Sequence, residues 1–250
     1  MFDTHAHLCD EAFADDLAEV LDRARGAGVD WVLAVGEDLS DARRNLELAS
    51  RFPGVVRPAA GLFPTLLDIE AAREVEGFVR RHAGEFTAIG EVGLDHWKVQ
   101  DEAGRELQRE IFASFIDLAL ELDRPLNVHS RSAGRATLEL LLEKGATRVQ
   151  MHAFDGRAVK AMPGVEAGYF FSVPPSIVRS AQKQKLVRQL PLECLLLETD
   201  SPVLAAEEGA RNEPCQVVRS LTAIAEIKQL PVEPVREVLA DNTLRLYPPA

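Results

Sequence analysis

Two histidines in the stretch DTHAHL, His5 and His7, stand one residue apart just after Asp3. In a β-strand, side chains at i and i+2 point to the same face. A strand here would aim both imidazoles at one point, a geometry suited to a metal ion. Other residues able to bind a metal or move a proton follow at the ends of apolar runs. They are Glu91 in FTAIGEVGLD, His129 in PLNVHSR, His152 in TRVQMHAF and Asp200 in ECLLLETD. Four of the six histidines therefore sit at the ends of predicted strands, whereas chance placement would scatter them. A lone histidine at a strand end is more often hydrogen-bonded than ligated. It is the conjunction that points to a metal centre.

The elements that must position these residues are visible as alternating patterns. Short apolar runs, FDTHAH, VDWVLAVG, VVRPAAGLF, FTAIGEVGLD, PLNVHSR, TRVQMHAF, AGYFFSVP and ECLLLETD, alternate with amphipathic ones. The clear helical stretches are EAFADDLAEVLDRARGAG, DARRNLELASRF, IEAAREVEGFVRRHAG, RELQREIFASFIDLALELD and SAGRATLELLLEKG. Further helices follow Pro175 and Pro214, and VEPVREVLADNTLRLY closes the chain. Eight strands alternating with helices, with no linker or fixed-period repeat, predict one (β/α)₈ TIM barrel over residues 1–250. An open doubly wound sheet competes, but it would scatter the polar strand ends along one edge. In a barrel they converge at the carboxyl mouth. His82 at a helix end suits the helix dipole, His96 falls in a loop above the mouth, Cys9 reads as packing, and Asp3 as a group that either orients a ligand from behind or braces the strand.

Composition narrows the classes. A net charge of -12 disfavours nonspecific coating of nucleic acid. The charge is uneven: residues 1–124 carry 13 basic and 26 acidic side chains, residues 125–250 carry 15 and 14. An anionic substrate would be held mainly by the second half, where the acid-free run from Pro174 to Leu192 contains Arg179, Lys183, Lys185 and Arg188. Cys9, Cys194 and Cys215 show no C-x-x-C spacing, which predicts a reducing compartment rather than a disulfide framework. With no signal-like segment and no long apolar run, the expectation is a cytoplasmic protein, nuclear location being compatible, with no membrane contact.

The words DTHAHL, AIGEVGLD, NVHSR, HAFDG, GYFFS, LLLETDSP and RNEP, closing with DNTLRLY, resemble the TatD family of metal-dependent deoxyribonucleases along essentially the whole chain. The resemblance implies a barrel of the metal-dependent hydrolase (amidohydrolase-like) type acting on DNA, with 3′-to-5′ exonuclease activity on ends, single strands or damaged sites. It implies two divalent metal ions: one on His5, His7 and Asp200, a second on His129 and His152, with Glu91 bridging and Asp200 orienting or deprotonating the attacking water. Imidazole ligands suit Zn²⁺ or Mn²⁺, oxygen ligands suit Mg²⁺, and the ion stays open.

Arg131, Arg211 and Asn212 are candidate phosphate contacts, or else members of loop ion pairs. The acid-free run is expected to reach flanking phosphates at most. Where the family writes G-x-H-P, this chain writes GLFPT. Phe63 there can stack on a base or pack under the loop, but it cannot ligate. Two other readings compete: an amidohydrolase-type enzyme acting on a small amide, lactone or ester, and a weakly active metal-bearing binding protein.

Overall fold

In a computed structural model describing residues 1–249, each of the eight apolar runs contains one strand. They are β1 (Phe2–Ala6), β2 (Trp31–Ala34), β3 (Val56–Ala60), β4 (Ala88–Gly93), β5 (Leu126–His129), β6 (Val149–Met151), β7 (Phe170–Val173) and β8 (Leu195–Leu197). They pair in parallel and in chain order. A parallel bridge between Ala6 and Ser201 brings the end of the eighth strand segment back to the first. Two hydrogen bonds make that closure: His7 N–H donates to Ser201 O at 2.8 Å, and Asp200 N–H donates to His5 O at 2.9 Å. The segments richest in candidate ligands are thus tied to each other by backbone.

The helices are α1 (Leu17–Gly26), α2 (Leu39–Arg51), α3 (Ile69–Arg81), α4 (Glu102–Glu121), α5 (Gly134–Glu143), α6 (Ala158–Glu166), α7 (Ala181–Gln189), α8 (Val217–Lys228) and α9 (Val232–Leu246). Aspartates 38, 68 and 101 cap α2, α3 and α4 by accepting from backbone N–H groups of the first turn, which starts these helices where the apolar period begins. The run EAFADDLAEVLDRARGAG, expected as one helix, is divided: a 3₁₀ turn at Glu11–Phe13, capped by Asp10, precedes α1.

Strand residues alternate between two environments, as a closed sheet requires. Leu126 and Val128 of β5, and Val149 and Met151 of β6, join the apolar layer under the helices. The intervening Asn127 and Gln150 are buried on the other side. Below the mouth, the Asn127 amide donates to Thr4 O at 2.9 Å, and Tyr247 Oη donates to Gln150 at 2.8 Å. Tyr247, just past α9, packs with Trp31, Leu33 and Leu196 in a second apolar cluster. The closing helix therefore seals the barrel opposite the mouth. Close strand contact also depends on glycine. A Cβ on Gly61 would lie 2.3 Å from Glu91 O, and one on Gly93 2.0 Å from His129 O. No helix among the described residues is long and apolar enough to cross a membrane.

Candidate metal centre

Four donor atoms converge from β1, β4 and the segment after β8. His5 Nε2 lies 3.3 Å from His7 Nε2 and 3.3 Å from Asp200 Oδ1. His7 Nε2 lies 3.4 Å from Asp200 Oδ1 and 3.4 Å from Glu91 Oε2, and His5 Nε2 is 3.7 Å from Glu91 Oε2. A tetrahedral ion with ligands at ~2.0–2.2 Å holds its donors ~3.3–3.6 Å apart, so these spacings match a coordination shell. Glu91 Oε2 is buried and has no hydrogen-bond partner among the described residues. Such an atom is costly to leave unpaired, and a cation would satisfy it. The residues fit a metal.

The other face of Glu91 meets β5 and β6. Its Oε1 accepts from His129 Nδ1 at 2.7 Å and lies 3.8 Å from His152 Nε2, which is also 3.8 Å from Asp200 Oδ2. Donor atoms within 4.8 Å of one another form two triads among the described residues, His5–His7–Asp200 and His5–Glu91–His152. His129 joins through Glu91 rather than as a member of either.

Three of the four rings are held from behind by buried oxygens. His5 Nδ1 meets Asn127 Oδ1 at 2.7 Å, His152 Nδ1 meets Glu198 Oε2 at 2.9 Å, and His129 Nε2 meets Asp95 Oδ2 at 3.0 Å. Each partner turns the opposite nitrogen of its ring toward the cluster. Glu198 is itself anchored by Ser172 Oγ at 2.6 Å and Ala153 N–H at 2.9 Å. Asp3 accepts from the backbone N–H of His5 at 3.3 Å and from Thr199 N–H and Oγ at 2.8 and 2.6 Å, bracing β1 against the chain after β8. Asn127, Asp95 and Glu198 were absent from the sequence expectations. Asn127 and Glu198 precede His129 and Asp200 by two residues, a same-face spacing that could have found them.

The electrostatics are those of a site built for positive charge. Burial opposes protonation of His5, yet the hydrogen bond to Asp200 and the charges of Glu91, Asp200 and Glu198 raise it to about 10. Burial likewise works against the charged form of His129, but Asp95 and Glu91 raise it to about 9. Burial alone would raise the Glu91 and Asp200 carboxyls; the surrounding imidazoles instead hold both well below the usual carboxylate range. Asp200 also adopts φ 58°, a left-handed conformation unusual outside glycine. Its backbone N–H bond to His5 O keeps it there.

The cluster forms the floor of a cavity of about 450 Å³, whose wall includes Phe63, Ser130, Arg131, Lys183 and the Pro202–Leu204 lip. Phe63 does not stand aside under its loop. Its ring meets His129 edge-on at 5.3 Å between centroids and also lines the cavity. Arg131 lines the same wall, with its guanidinium 3.8 Å over the half-exposed Trp97 ring.

The two RNEP residues lie outside the cavity lining, and Arg211 follows the loop ion-pair alternative. Arg211 is engaged by both Asp16 oxygens, Glu213 and Ala12 O, outside the cavity lining. Buried Asn212 gives its amide hydrogens to Thr199 O and Val203 O at 2.7 and 2.8 Å. Both hold the loop, Asn212 with both amide hydrogens and Arg211 with its two terminal nitrogens. The acid-free run departs the other way: Lys183 reaches the cavity wall, while Lys185 faces a separate groove with Arg157 and Gln182. Cys9 packs with its thiol donating to Asn45, and His82 pairs with Glu85 beyond α3. His96 lines another groove with Arg105 and Glu106.

The family model for TatD-related DNase matches residues 2–248. The chain belongs to the TatD family of metal-dependent deoxyribonucleases. It is 46% identical to the putative deoxyribonuclease TATDN3 of Mus musculus, covering 99% of this chain and 88% of that protein. It is 44% identical to the deoxyribonuclease TATDN3 of Homo sapiens, covering 99% and 94%. Among solved structures, the TatD homolog YJJV of Escherichia coli superposes with a TM-score of 0.92 at 28% identity, covering 100% of this chain and 98% of that one. The (β/α)₈ barrel is therefore shared with the TatD fold along its whole length.

Proposed function

We propose that this TatD-family protein hydrolyses phosphodiester bonds of DNA, removing nucleotides from 3′ ends of single-stranded or damaged substrate, with two divalent cations in the mouth of its barrel. The unpartnered Glu91 Oε2, facing two imidazole nitrogens at coordination-shell spacing, carries this reading. His5, His7 and Asp200 would hold one cation and His129 and His152 the other, with Glu91 shared between them. Bound there, divalent cations lower the pKa of water and neutralise the charge of a phosphodiester.

The chain's own groups do the rest. Asp200 turns Oδ1 to His5 and His7 and Oδ2 toward His152, which leaves Oδ2 to orient the attacking water and take its proton. Asn127, Asp95 and Glu198 lock the rings so that no reorganisation is needed at the moment of reaction. Arg131, on the cavity wall, contacts phosphate oxygens, and Phe63 offers its ring to a terminal base or sugar. The 3′-to-5′ polarity rests on the family resemblance. The three cysteines are free, Cys9 and Cys194 buried, which suits a reducing compartment, cytoplasmic or nuclear.

The test incubates purified protein with single-stranded DNA labelled at either end, with Mg²⁺, Mn²⁺ or Zn²⁺ and a chelator control. Stepwise, metal-dependent shortening from the 3′ end is the expected result. Chelator-insensitive cleavage, or none with any ion, would sink the reading.

A further inference from the structure

Of the residues lining the cavity, five are carboxylates: Asp10, Glu37, Glu91, Asp155 and Asp200. Only Arg131 and Lys183 among the lining residues are lysine or arginine. A strand of nucleic acid brings more than one phosphate, and the metal centre can neutralise only the one at its face. The wall above β5 and β6 holds unspent donors for another.

Lys183 projects from the first turn of α7 into this wall, and its Nζ donates to Ala153 O at 3.2 Å. An ammonium has three N–H donors, and that carbonyl uses one. Burial lowers its pKa, while Glu198, Asp155 and Asp200 work to raise it; an ammonium in a partly dry place attracts an anion more strongly than one in water. Ser130 supplies an independent sign. It is 3% exposed, lines the same cavity, and its Oγ has no hydrogen-bond partner among the described residues. The two wall segments are neighbours: His152 N–H donates to Val128 O, and Ser132 N–H to Asp155 Oδ2. A buried hydroxyl without a partner and a lysine with spare donors thus line one cavity, the kind of donors that phosphate oxygens accept from.

We propose that Ser130 Oγ and Lys183 Nζ form a phosphate subsite beside the metal centre, which binds a phosphate flanking the scissile one and so commits the enzyme to oligonucleotides over isolated phosphodiesters. This rests on the phosphodiesterase reading above. Lys185, two residues along the same helix and facing the α6–α7 groove, is the built-in control for general charge.

The experiment uses metal-loaded protein and two substrates: a short labelled single-stranded oligonucleotide, and bis-(p-nitrophenyl) phosphate, which has one phosphate and no flanking one. Binding is read separately by fluorescence anisotropy with a phosphorothioate version of the oligonucleotide. Lys183→Met should raise the oligonucleotide KM and Kd about tenfold, the loss of one charge-assisted contact. Its kcat and its rate on bis-(p-nitrophenyl) phosphate should stay near wild type. Ser130→Ala should move the same quantities about threefold, Lys183→Arg should recover part of the loss, and Lys185→Met should change little. The subsite is overturned if Lys183→Met leaves oligonucleotide KM and Kd unaltered, if both substrates suffer equally, or if Lys185→Met matches it. A wild type that binds DNA through Lys183 without cutting it would sink only the hydrolytic reading. One that neither binds nor cuts would sink both.

Discussion

The two sides of the candidate metal centre share Glu91 but are prepared differently. On the β1–β8 side, His5 Nε2 and His7 Nε2 stand 3.3 Å apart and each lies 3.3–3.7 Å from Asp200 Oδ1 and Glu91 Oε2, and that Glu91 oxygen is unpartnered among the described residues. On the β5–β6 side, the outer oxygen is already bonded to His129 at 2.7 Å, while His152 waits 3.8 Å away. A cation entering the first half completes a shell, whereas one entering the second must replace a hydrogen bond between an imidazole and a carboxylate. The difference comes from the supports. The first half is fixed by backbone bonds of the barrel closure. In the second, His129 is held between Asp95 and Glu91. Of the two proposed cations, preorganisation should make the one on the β1–β8 side the tighter.

The largest effects should come from the groups common to both halves. Glu91→Gln and Asp200→Asn each keep side-chain volume while removing charge from the centre, and each should lower kcat by about 10³-fold or more with the barrel still folded by circular dichroism. Near-normal, metal-dependent turnover in either would refute the mechanism. Next, His129→Ala should reduce bound metal, measured on chelator-free protein, from two ions to one, and His5→Ala should cost the tighter ion. If His129→Ala removes both, the halves are not independent.

The pH dependence distinguishes proton competition from simple filling. In the metal-free protein His5 is raised to about 10 and His129 to about 9, above the ordinary 6.5. At neutral pH both rings hold protons that a cation must displace. Metal affinity should therefore climb as pH rises toward 9 and beyond, with protons released on loading, visible as dye-detected acidification in weak buffer. The same shifts have a sign for stability: their contribution to the metal-free fold is complete below pH 6.5 and is lost as pH rises through 9 and 10. Metal affinity that does not change between pH 6 and 9 would contradict both.

Smaller effects separate the cavity wall from the loop after β8. Arg131→Ala should raise the KM for oligonucleotides about tenfold, whereas Arg211→Ala should leave KM alone and lower the melting temperature, because its partners are Asp16 and Glu213 rather than substrate. Equal KM effects would mean that the loop opens to the substrate. The smallest expected change is at Phe63. Phe63→His places a ring nitrogen beside His129 and should modestly raise turnover or metal content of the second half. A variant that only loses stability would make the ring a packing element.

Much of this was legible in the chain itself. Eight alternating segments specify the barrel because each must bury one face against helices and the other against its own interior. The six candidate ligands were found because strand ends of a barrel share one mouth. The polar layer beneath them was written at i−2 from His129, His152 and Asp200, as Asn127, Gln150 and Glu198, though its partners were not. Side-chain periodicity tells which face a residue takes, and nothing about which of several oxygens a ring will choose.

What the linear order could not decide were encounters between distant segments. From charge and position alone, Arg211 had the stronger claim on the scissile phosphate and Lys183 at most a claim on a flanking one. Folding gave Arg211 to Asp16, 195 residues away, and turned Lys183 toward Ala153, 30 residues away. Lys183 and Lys185 share a helix and a charge, yet only one of them meets the cavity, because two residues advance a helix by about 200°. The sequence by itself determined the barrel and the residue types that gather at its mouth, since both follow from local pattern repeated eight times. Tertiary structure alone decided which cations stay free for substrate, since a donor is available only where packing leaves it without a partner.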